Sequence, residues 1–277
     1  MSDIVIIDVE QRTLPWFQAR AGVISASNFH LLRESAKLKT GKNRGDYNSK
    51  AKDLAFKLAI ERISGLPLEV DDGFEVWQAK RGNVLEPHAR LRHERKFDIL
   101  VEDAGFIKTS DGKFGASADG FTDRAGLRRG CEYKCFLSPE KLSDILLYGS
   151  TDEVIDQCDG GMWLTDLPAW DFGLYCPALD VVGLDFTLIP IERNDDRIEA
   201  LQVDLVAFDR LVDDYVARLR QRAGLNAAPP WTDAEPVAAA VAVNRELSGI
   251  PAASLAPRPT APRAAPAAFA MPDFSNV

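Results

Sequence analysis

Short strand-like runs separated by turns fill residues 104–135, and this stretch constrains the fold more than any other part of the chain. The runs lie at residues 105–109, 114–118 and 130–135, and the turns between them contain Gly and Asp. Short apolar runs bounded by Gly and Asp are typical of strands that follow one another in a sheet. We therefore predict an antiparallel meander in the middle of the chain.

Helical spacing of apolar side chains occurs on both sides of this meander. One of the helical segments contains Pro87, so we expect that helix to kink or restart near Gly82. The predicted helices cover residues 26–34, 48–64, 74–95, 153–164 and 195–223, and two further strands cover residues 170–176 and 184–188. The order of these elements predicts an α/β (α+β) fold with a mixed central sheet flanked by helices.

The composition of the chain changes near Asn226. Hydrophobic residues make up 46% of the whole sequence, which is enough for one sizeable core. Residues 226–277 are instead rich in Ala and Pro, so burial cannot offset the entropy lost on ordering them. We predict a folded domain at residues 1–225 and a disordered or extended tail at residues 226–277. The tail is either passive or docks a partner through Phe269, Met271 and Phe274.

The net charge and the cysteines exclude few functions. A net charge of −9 disfavours a nucleic-acid partner, but a metal site concentrates carboxylates, and a basic groove can lie between acidic faces. The spacing of the four cysteines favours reduced thiols over a zinc or iron–sulfur site. Because neither a signal peptide nor a run of about 18 apolar residues is found, we expect a cytoplasmic protein.

Two carboxylates and a lysine converge at the predicted hairpin. Asp119 lies at the end of one predicted strand, and Glu132 and Lys134 lie two residues apart on the next, so their side chains share a face. Paired carboxylates form a hard oxygen site suited to Mg²⁺ or Mn²⁺. A neighbouring ammonium can orient water or stabilise negative charge during phosphodiester hydrolysis. A surface ion pair across a hairpin is the structural alternative.

A third carboxylate, Glu86, lies upstream in a predicted helix. From there it could reach the same metal ion directly or through water. His88 and His93 follow in the same helix and are further potential ligands, although partly exposed helix positions also explain them.

Several blocks of the sequence, in the same order and with similar spacing, resemble the phage lambda-type (YqaJ-like) exonucleases of the PD-(D/E)XK nuclease superfamily. The resemblance extends over about residues 12–220. The blocks are Trp16–Ser27, Gly82–Ala89, Ser117–Gly120, Glu132–Cys135, and Gln157 with Gly161–Trp163.

The resemblance implies a restriction-endonuclease-like fold and a role for each matching residue. The metal ligands would be Asp119, Glu132, Glu86 and the backbone carbonyl of Tyr133. The bound ion would be Mg²⁺, for which Mn²⁺ could substitute. Lys134 would orient the attacking water. Gln157 would line the site from the following helix, and satisfying a backbone group is its alternative role.

The resemblance also implies a substrate-binding set. Its members are Trp16, Arg20, Ser27, Ser117 and Lys141. Arg20 and the two serines would hold phosphate oxygens, and Trp16 would stack on a terminal base. The structural alternatives are a carboxylate partner for Arg20, a helix cap for Ser27 and core burial for Trp16.

Two departures from the family pattern affect these expectations. Pro87 directly follows Glu86 and alters the local helix geometry. Glu140 stands where the lambda enzyme has an arginine that grips the end phosphate. Lys141 could replace that arginine, but it offers a point charge in place of a bidentate fork.

The function implied is 5′→3′ exonuclease digestion of one strand at duplex DNA ends, which leaves 3′ single strands for an annealing protein. The family also implies a homo-oligomer, a trimer, acting in the cytoplasm of a bacterial host. Two alternatives stay open: a structure-selective or restriction-like endonuclease with the same core, and a DNA-binding protein without hydrolytic activity.

Overall fold

The computed structural model describes residues 3–33, 37–40, 44–68 and 77–225, and for residues 77–80 it describes the backbone only. The tail predicted at residues 226–277 and the predicted helical residues 34 and 74–76 lie outside the described residues. Within the described part of the chain, no helix has both the length and the apolar character needed to cross a membrane.

Six α-helices and nine strands form the described fold, with two additional 3₁₀ helices. The α-helices are α1 (Leu14–Arg20), α2 (Ser49–Ser64), α3 (Trp77–Phe97), α4 (Pro139–Tyr148), α5 (Ile155–Thr165) and α6 (Asp195–Arg222). The strands are β1 (Ile4–Ile7), β2 (Ile24–Ser25), β3 (Val101–Glu102), β4 (Phe106–Thr109), β5 (Phe114–Ala116), β6 (Gly120–Arg124), β7 (Leu127–Lys134), β8 (Ala169–Tyr175) and β9 (Phe186–Glu192). The first 3₁₀ helix is Ala26–Leu31 and the second is Pro177–Val182.

The strands form two mixed sheets rather than one. The first sheet has the order β1-β4-β5-β2 and contains one parallel pair, β2 with β5. The second sheet has the order β3-β6-β7-β8-β9, with β7 and β8 parallel. Mixed sheets flanked by helices agree with the fold class predicted from the sequence.

The single antiparallel meander predicted for the middle of the chain is wrong. β4 pairs with β5 in the first sheet, and β6 pairs with β7 in the second. The chain leaves the first sheet after Ala116 and enters the second at Gly120. Strand periodicity reports which residues alternate between faces, but it does not report which strands pair.

Three helix predictions also need correction. The segment predicted as a helix from residue 26 is a short 3₁₀ helix, and α3 continues without a restart through Gly82 and Pro87. Helix α4 was not predicted, although its signals are present. Ser138 caps it by accepting a hydrogen bond from the Lys141 amide, and Gly149 ends it with a φ of 68°.

The two faces of β7 pack against different helices. Cys131 and Tyr133 point into a cluster that contains Ala89 of α3. Glu132 pairs in register with Phe172, whose side chain packs in another cluster with Met162 of α5. Alternation along β7 therefore turns Glu132 and Lys134 toward α5 and away from α3.

An ionic network lies on the α3 face of the second sheet. Asp171 of β8 is fully buried and accepts two hydrogen bonds from Arg124, at 2.8 and 2.7 Å. Arg129 donates a third at 3.3 Å, and the His93 Nε2 atom lies 3.6 Å from the same carboxylate. Buried charges are tolerated when they are paired and hydrogen-bonded in this way. Asp171 thus ties two arginines of the β6–β7 hairpin to β8.

Replacement of Asp171 by Ala should destabilise the protein, because Arg124 would lose the carboxylate that neutralises it and Arg129 would keep only its ion pair with Glu192. We expect the free energy of unfolding to fall by about 3–5 kcal/mol. Urea denaturation followed by circular dichroism measures it. Asp123→Ala, which removes an exposed ion pair with Arg128, serves as the control and should cost about 1 kcal/mol or less. Equal effects of the two substitutions would contradict a structural role for the buried network.

Candidate active site

Asp119 lies at the entrance to β6 and is held against β7 by two hydrogen bonds. Its amide donates to the Cys131 carbonyl at 3.0 Å, and its Oδ2 atom accepts the Tyr133 amide at 2.6 Å. Gln11 holds the preceding residue by donating to the Ala118 carbonyl at 2.7 Å. The Asp119 carboxylate is therefore fixed beside Glu132 by the backbone of the neighbouring strand.

Glu132, Lys134 and Gln157 form a closed set of side-chain contacts. The Lys134 Nζ atom lies 2.7 Å from the Glu132 Oε1 atom and donates to the Gln157 Oε1 atom at 3.2 Å. The Gln157 Nε2 atom donates to the Glu132 Oε2 atom at 2.7 Å. Because Glu132 is only 2% exposed, this contact is not the surface ion pair considered as an alternative. Gln157 satisfies these two side chains and not a backbone group.

Glu86 approaches the carboxylates from α3 and forms an ion pair with Arg12. The Arg12 Nη2 atom lies 2.5 Å from the Glu86 Oε2 atom. Arg12 adopts a left-handed backbone conformation with a φ of 65°, which is uncommon for a residue other than glycine. The sequence analysis missed Arg12, because a single arginine ahead of α1 has no spacing that links it to a glutamate 74 positions away.

The surroundings of the site raise the proton affinity of Asp119 and Glu132. Burial raises the pKa of Asp119 well above its ordinary value, and the charges of Glu132 and Glu86 raise it further. Burial also raises the pKa of Glu132. Burial lowers the pKa of Lys134, but Glu132 and Asp119 outweigh this effect and the net change is upward. Negative charge thus accumulates around Asp119, and one lysine only partly balances it.

The chemistry of this donor set fits a divalent metal ion. Carboxylate and carbonyl oxygens are the ligands that Mg²⁺ and Mn²⁺ prefer, and a cation would relieve the repulsion around Asp119. Among the described residues, no three side chains of His, Cys, Asp or Glu lie close enough together to hold a metal by themselves. The predicted set consists of the carboxylates of Asp119, Glu132 and Glu86 with the Tyr133 backbone carbonyl, and Glu86 forms an ion pair with Arg12.

The two candidate histidines of α3 differ in their surroundings. His88 is partly exposed, as expected. His93 is fully buried, so the expectation of a partly exposed position is wrong for this residue. Its Nδ1 atom lies 2.9 Å from the Tyr133 hydroxyl, and burial lowers its pKa to about 4. His93 therefore joins α3 to β7 as a neutral ring.

A second polar cluster lies beside α1, and it contains four of the predicted substrate-binding residues. Arg20 donates to the hydroxyls of Ser25 at 3.0 Å and Ser27 at 3.5 Å. Its guanidinium stacks over the Trp16 ring at 4.1 Å, and the Trp16 Nε1 atom donates to the Ser117 hydroxyl at 3.0 Å. Ser25, which the sequence analysis missed, is 3% exposed and also contacts Ser27 at 3.1 Å.

The structure does not show the alternative roles considered for Arg20, Ser27 and Trp16. Within the described part of the chain, no carboxylate lies within ion-pair distance of Arg20. Ser27 lies inside the first 3₁₀ helix, whose N-cap is Ser25 and which has no side-chain cap. Trp16 is partly exposed and belongs to none of the buried core clusters found among the described residues.

Lys141 is separated from this cluster by its own contacts. Its ammonium forms an ion pair with Glu153 and lies 5.1 Å from the centre of the Phe136 ring. Its amide donates to Ser138 at the start of α4. None of these contacts joins Lys141 to Arg20, so the structure does not bring this predicted residue to the others.

Comparison with known proteins places the chain in a class of nucleases. It is similar to an alkaline exonuclease (LHK-Exo) from Laribacter hongkongensis, with 26% identity and a TM-score of 0.62, over 78% of this chain and 100% of that one. A structure of LHK-Exo in complex with dAMP matches at 27% identity with a TM-score of 0.61, again over 78% and 100% of the two chains. A phage-related exonuclease from Haemophilus somnus 129PT shares the fold at 15% identity, with a TM-score of 0.51, over 71% and 96% of the chains. Comparison with curated proteins gave no significant match.

The family can also be stated. Residues 15–168 match the YqaJ-like viral recombinase domain, which is more than half of the chain. The chain therefore belongs to the YqaJ-like viral recombinase domain family, as its sequence blocks indicate. Family and fold together indicate a nuclease.

Substitution of Asp119 by Asn should stabilise the protein in a chelator and make its stability less dependent on pH. The new amide side chain retains an oxygen for the Tyr133 amide but removes a charge that Glu132 and Glu86 repel. Because the pKa of Asp119 is higher folded than unfolded, the wild type loses stability as pH rises from the unfolded value toward the folded one. The excess stability of the variant, measured by urea unfolding, should therefore grow as the pH rises from about 4 toward neutrality. A constant difference across this range would contradict the proposed repulsion.

Proposed function

We propose that this chain is a metal-dependent DNA exonuclease that digests one strand from duplex ends in the 5′→3′ direction. Its product would be a 3′ single strand for recombination by strand annealing. The observation that carries this proposal is the closed set of contacts among buried Glu132 and partly buried Lys134 and Gln157, with Asp119 at the start of the adjoining strand. The 26% identity to an alkaline exonuclease over the whole length of that protein supports it.

In this proposal Mg²⁺ would be held by oxygens of Asp119, Glu132 and the Tyr133 carbonyl, and it would supply the Lewis acidity that phosphodiester hydrolysis requires. Gln157 fixes the orientation of Glu132 by donating to the Oε2 atom. Asp119 is fixed by the Tyr133 amide in the same way. Both carboxylates are thus oriented before substrate arrives, which lowers the reorganisation needed during the reaction.

Lys134 acts in this mechanism as a protonated group. Glu132 and Asp119 raise its pKa, so its ammonium keeps its proton at neutral pH and cannot serve as a general base. It can donate a hydrogen bond to the attacking water and offset the negative charge that develops on the phosphoryl oxygens. Glu86 adds negative charge to the site, and its ion pair with Arg12 limits how much of that charge is uncompensated.

The cluster beside α1 is proposed to hold the phosphate of the DNA end. Arg20 and the hydroxyls of Ser25, Ser27 and Ser117 are donors suited to phosphate oxygens. The Arg20 guanidinium stacks over the Trp16 ring, and this ring also offers an aromatic surface to a terminal base. The complex of the similar LHK-Exo with dAMP supports a nucleotide site in this fold.

We extend the proposal to the assembly and the partner. By family likeness the chain forms a homo-oligomer, a trimer, and passes its product to a single-strand annealing protein. Residues 1–225 would form the nuclease domain and residues 226–277 a separate tail. Light scattering of the full chain and of a chain ending at residue 225 measures the number of subunits in each assembly. Equal numbers would show that residues 1–225 are sufficient for assembly.

The proposed activity predicts different outcomes for linear and closed DNA. With Mg²⁺, linear duplex should lose label from the 5′ end first, covalently closed circles should stay intact, and EDTA should stop digestion. Replacement of Mg²⁺ by Mn²⁺ should preserve activity. Opening of the circle would favour a restriction-like endonuclease with the same core. Loss of label first from the 3′ end would contradict the direction, and inertness of both substrates would favour a DNA-binding protein.

Substitution of Glu132 by Gln should abolish hydrolysis while leaving the fold and DNA binding intact. The amide keeps an oxygen at the site but withdraws the negative charge proposed to hold the metal. We expect a loss of at least about 100-fold in kcat, in line with the removal of a group that organises a charged transition state. Glu199→Gln, an exposed change on α6, is the control and should retain the wild-type rate. A variant at Glu132 with near-normal turnover would remove this residue from the mechanism.

A further inference from the structure

Two partly buried cations, Lys108 of β4 and Arg20 of α1, have no carboxylate partner among the described residues. Burial lowers the pKa of Lys108, and no other charged group contributes to that change. Burial also lowers the pKa of Arg20, to about 10, and the charge of Glu61 offsets only part of this effect. Several other partly buried cations of the described chain are paired with carboxylates: Arg33 with Asp204, Arg62 and Lys113 with Asp209, and Arg124 with Asp171.

Strand register puts Lys108 on the same sheet face as the Arg20 cluster. Lys108 of β4 pairs with Gly115 of β5, and Gly115 pairs with Ser25 of β2. Residues paired across neighbouring strands point their side chains to the same face. Lys108 and Ser25, the main hydroxyl partner of Arg20, therefore lie in one row across three strands.

Gly115, the residue between them, has no side chain, and the Phe106 ring lies over it. A Cβ atom there would lie 2.5 Å from the Cζ atom of Phe106 and 2.9 Å from the Ile107 carbonyl oxygen, so only glycine fits. Two interstrand spacings, about 10 Å in total, separate the Cα atoms of Ser25 and Lys108. The Phe106 ring therefore lies between these two positions on the same face of the sheet.

The opposite face of the same sheet is closed by the protein core. Ile24, Ile107 and Phe114, which alternate with Ser25, Lys108 and Gly115, are buried in the cluster that contains α2 and α6. The Lys108 face instead carries α1, whose Arg20 guanidinium lies 5.6 Å from the Phe106 ring centre. Lys108 and Arg20 are thus on the side of the sheet where the polar cluster is found.

We propose that Lys108 is a phosphate-binding residue that acts together with Arg20 on the α1 face of the first sheet. The inference rests on the proposed function, because it assigns a further residue to DNA binding at that site. Two desolvated cations without carboxylate partners on one face of a sheet favour an anionic ligand, and phosphate is the anion that a DNA substrate provides. Lys108, and not Lys141 with its ion pair to Glu153, then supplies the second positive charge.

The two possible sources of this phosphate are the terminal monoester and an internal phosphodiester. Duplexes that carry a 5′-phosphate or a 5′-hydroxyl separate them. A binding loss confined to the phosphorylated duplex assigns Lys108 to the terminal group, whereas equal losses on both duplexes assign it to the DNA backbone. Either result supports a phosphate contact.

The test compares Lys108→Met with Lys108→Arg and Lys50→Met. Duplex binding is measured by fluorescence anisotropy in EDTA over a range of salt concentrations, so no turnover is needed. Lys108→Met should weaken binding several-fold and reduce the slope of log K against log salt by about one. Lys108→Arg should restore most of the affinity. Lys50→Met, an exposed change at the start of α2 with the same loss of charge, should leave both quantities unchanged.

Urea unfolding of the same variants separates binding from folding. Because Lys108 is desolvated without a partner, Lys108→Met should be at least as stable as the wild type. Wild-type affinity and salt slope for Lys108→Met, or the same loss in Lys50→Met, would overturn the inference. Failure of the proposed function gives a different pattern: the wild type would bind DNA with the expected dependence on Lys108 but would not digest it when Mg²⁺ is added.

Discussion

The hydrogen bond from Gln157 to Glu132 joins the two parts of the molecule that the candidate site requires. Glu132 belongs to a hairpin of the second sheet, and Gln157 belongs to α5, which also packs against the first sheet through Leu164. Because this contact is partly buried and charge-assisted, loss of Gln157 would leave the Glu132 Oε2 atom without its hydrogen-bond donor. The position of α5 therefore determines the direction of Glu132, and the ammonium of Lys134 completes the same contact.

The charges of the described fold divide into compensated and uncompensated groups. Structural carboxylates such as Asp171 and Asp159 are matched by arginines with bidentate geometry. Asp119, in contrast, lies near other carboxylates, and Arg20 lies near hydroxyls and an aromatic ring. Uncompensated charge of both signs is what a site for a metal ion and a phosphate requires. This distribution also explains why a net charge of −9 does not exclude a DNA substrate.

Much of the fold and of the site could be predicted from the sequence, because both depend on local patterns. The helical spacing along α6 and the strand alternation around β7 indicated the right element types. Spacing by two residues correctly put Glu132 and Lys134 on one face. The separation of β5 from β6 was not predicted, since pairing is decided by packing between sheets. Arg12 and Ser25 were also missed, because their partners are brought to them by other elements.

The sequence by itself determined the chemistry available to this protein: the acidic residues, the lysine and the family blocks that contain them. The tertiary structure decided which of these groups meet. It paired Glu86 with Arg12, buried His93 against Tyr133, and engaged Lys141 with Glu153. The physical reason is that a residue's type and periodicity are local properties, whereas burial and charge compensation depend on segments that approach one another only after the chain has folded.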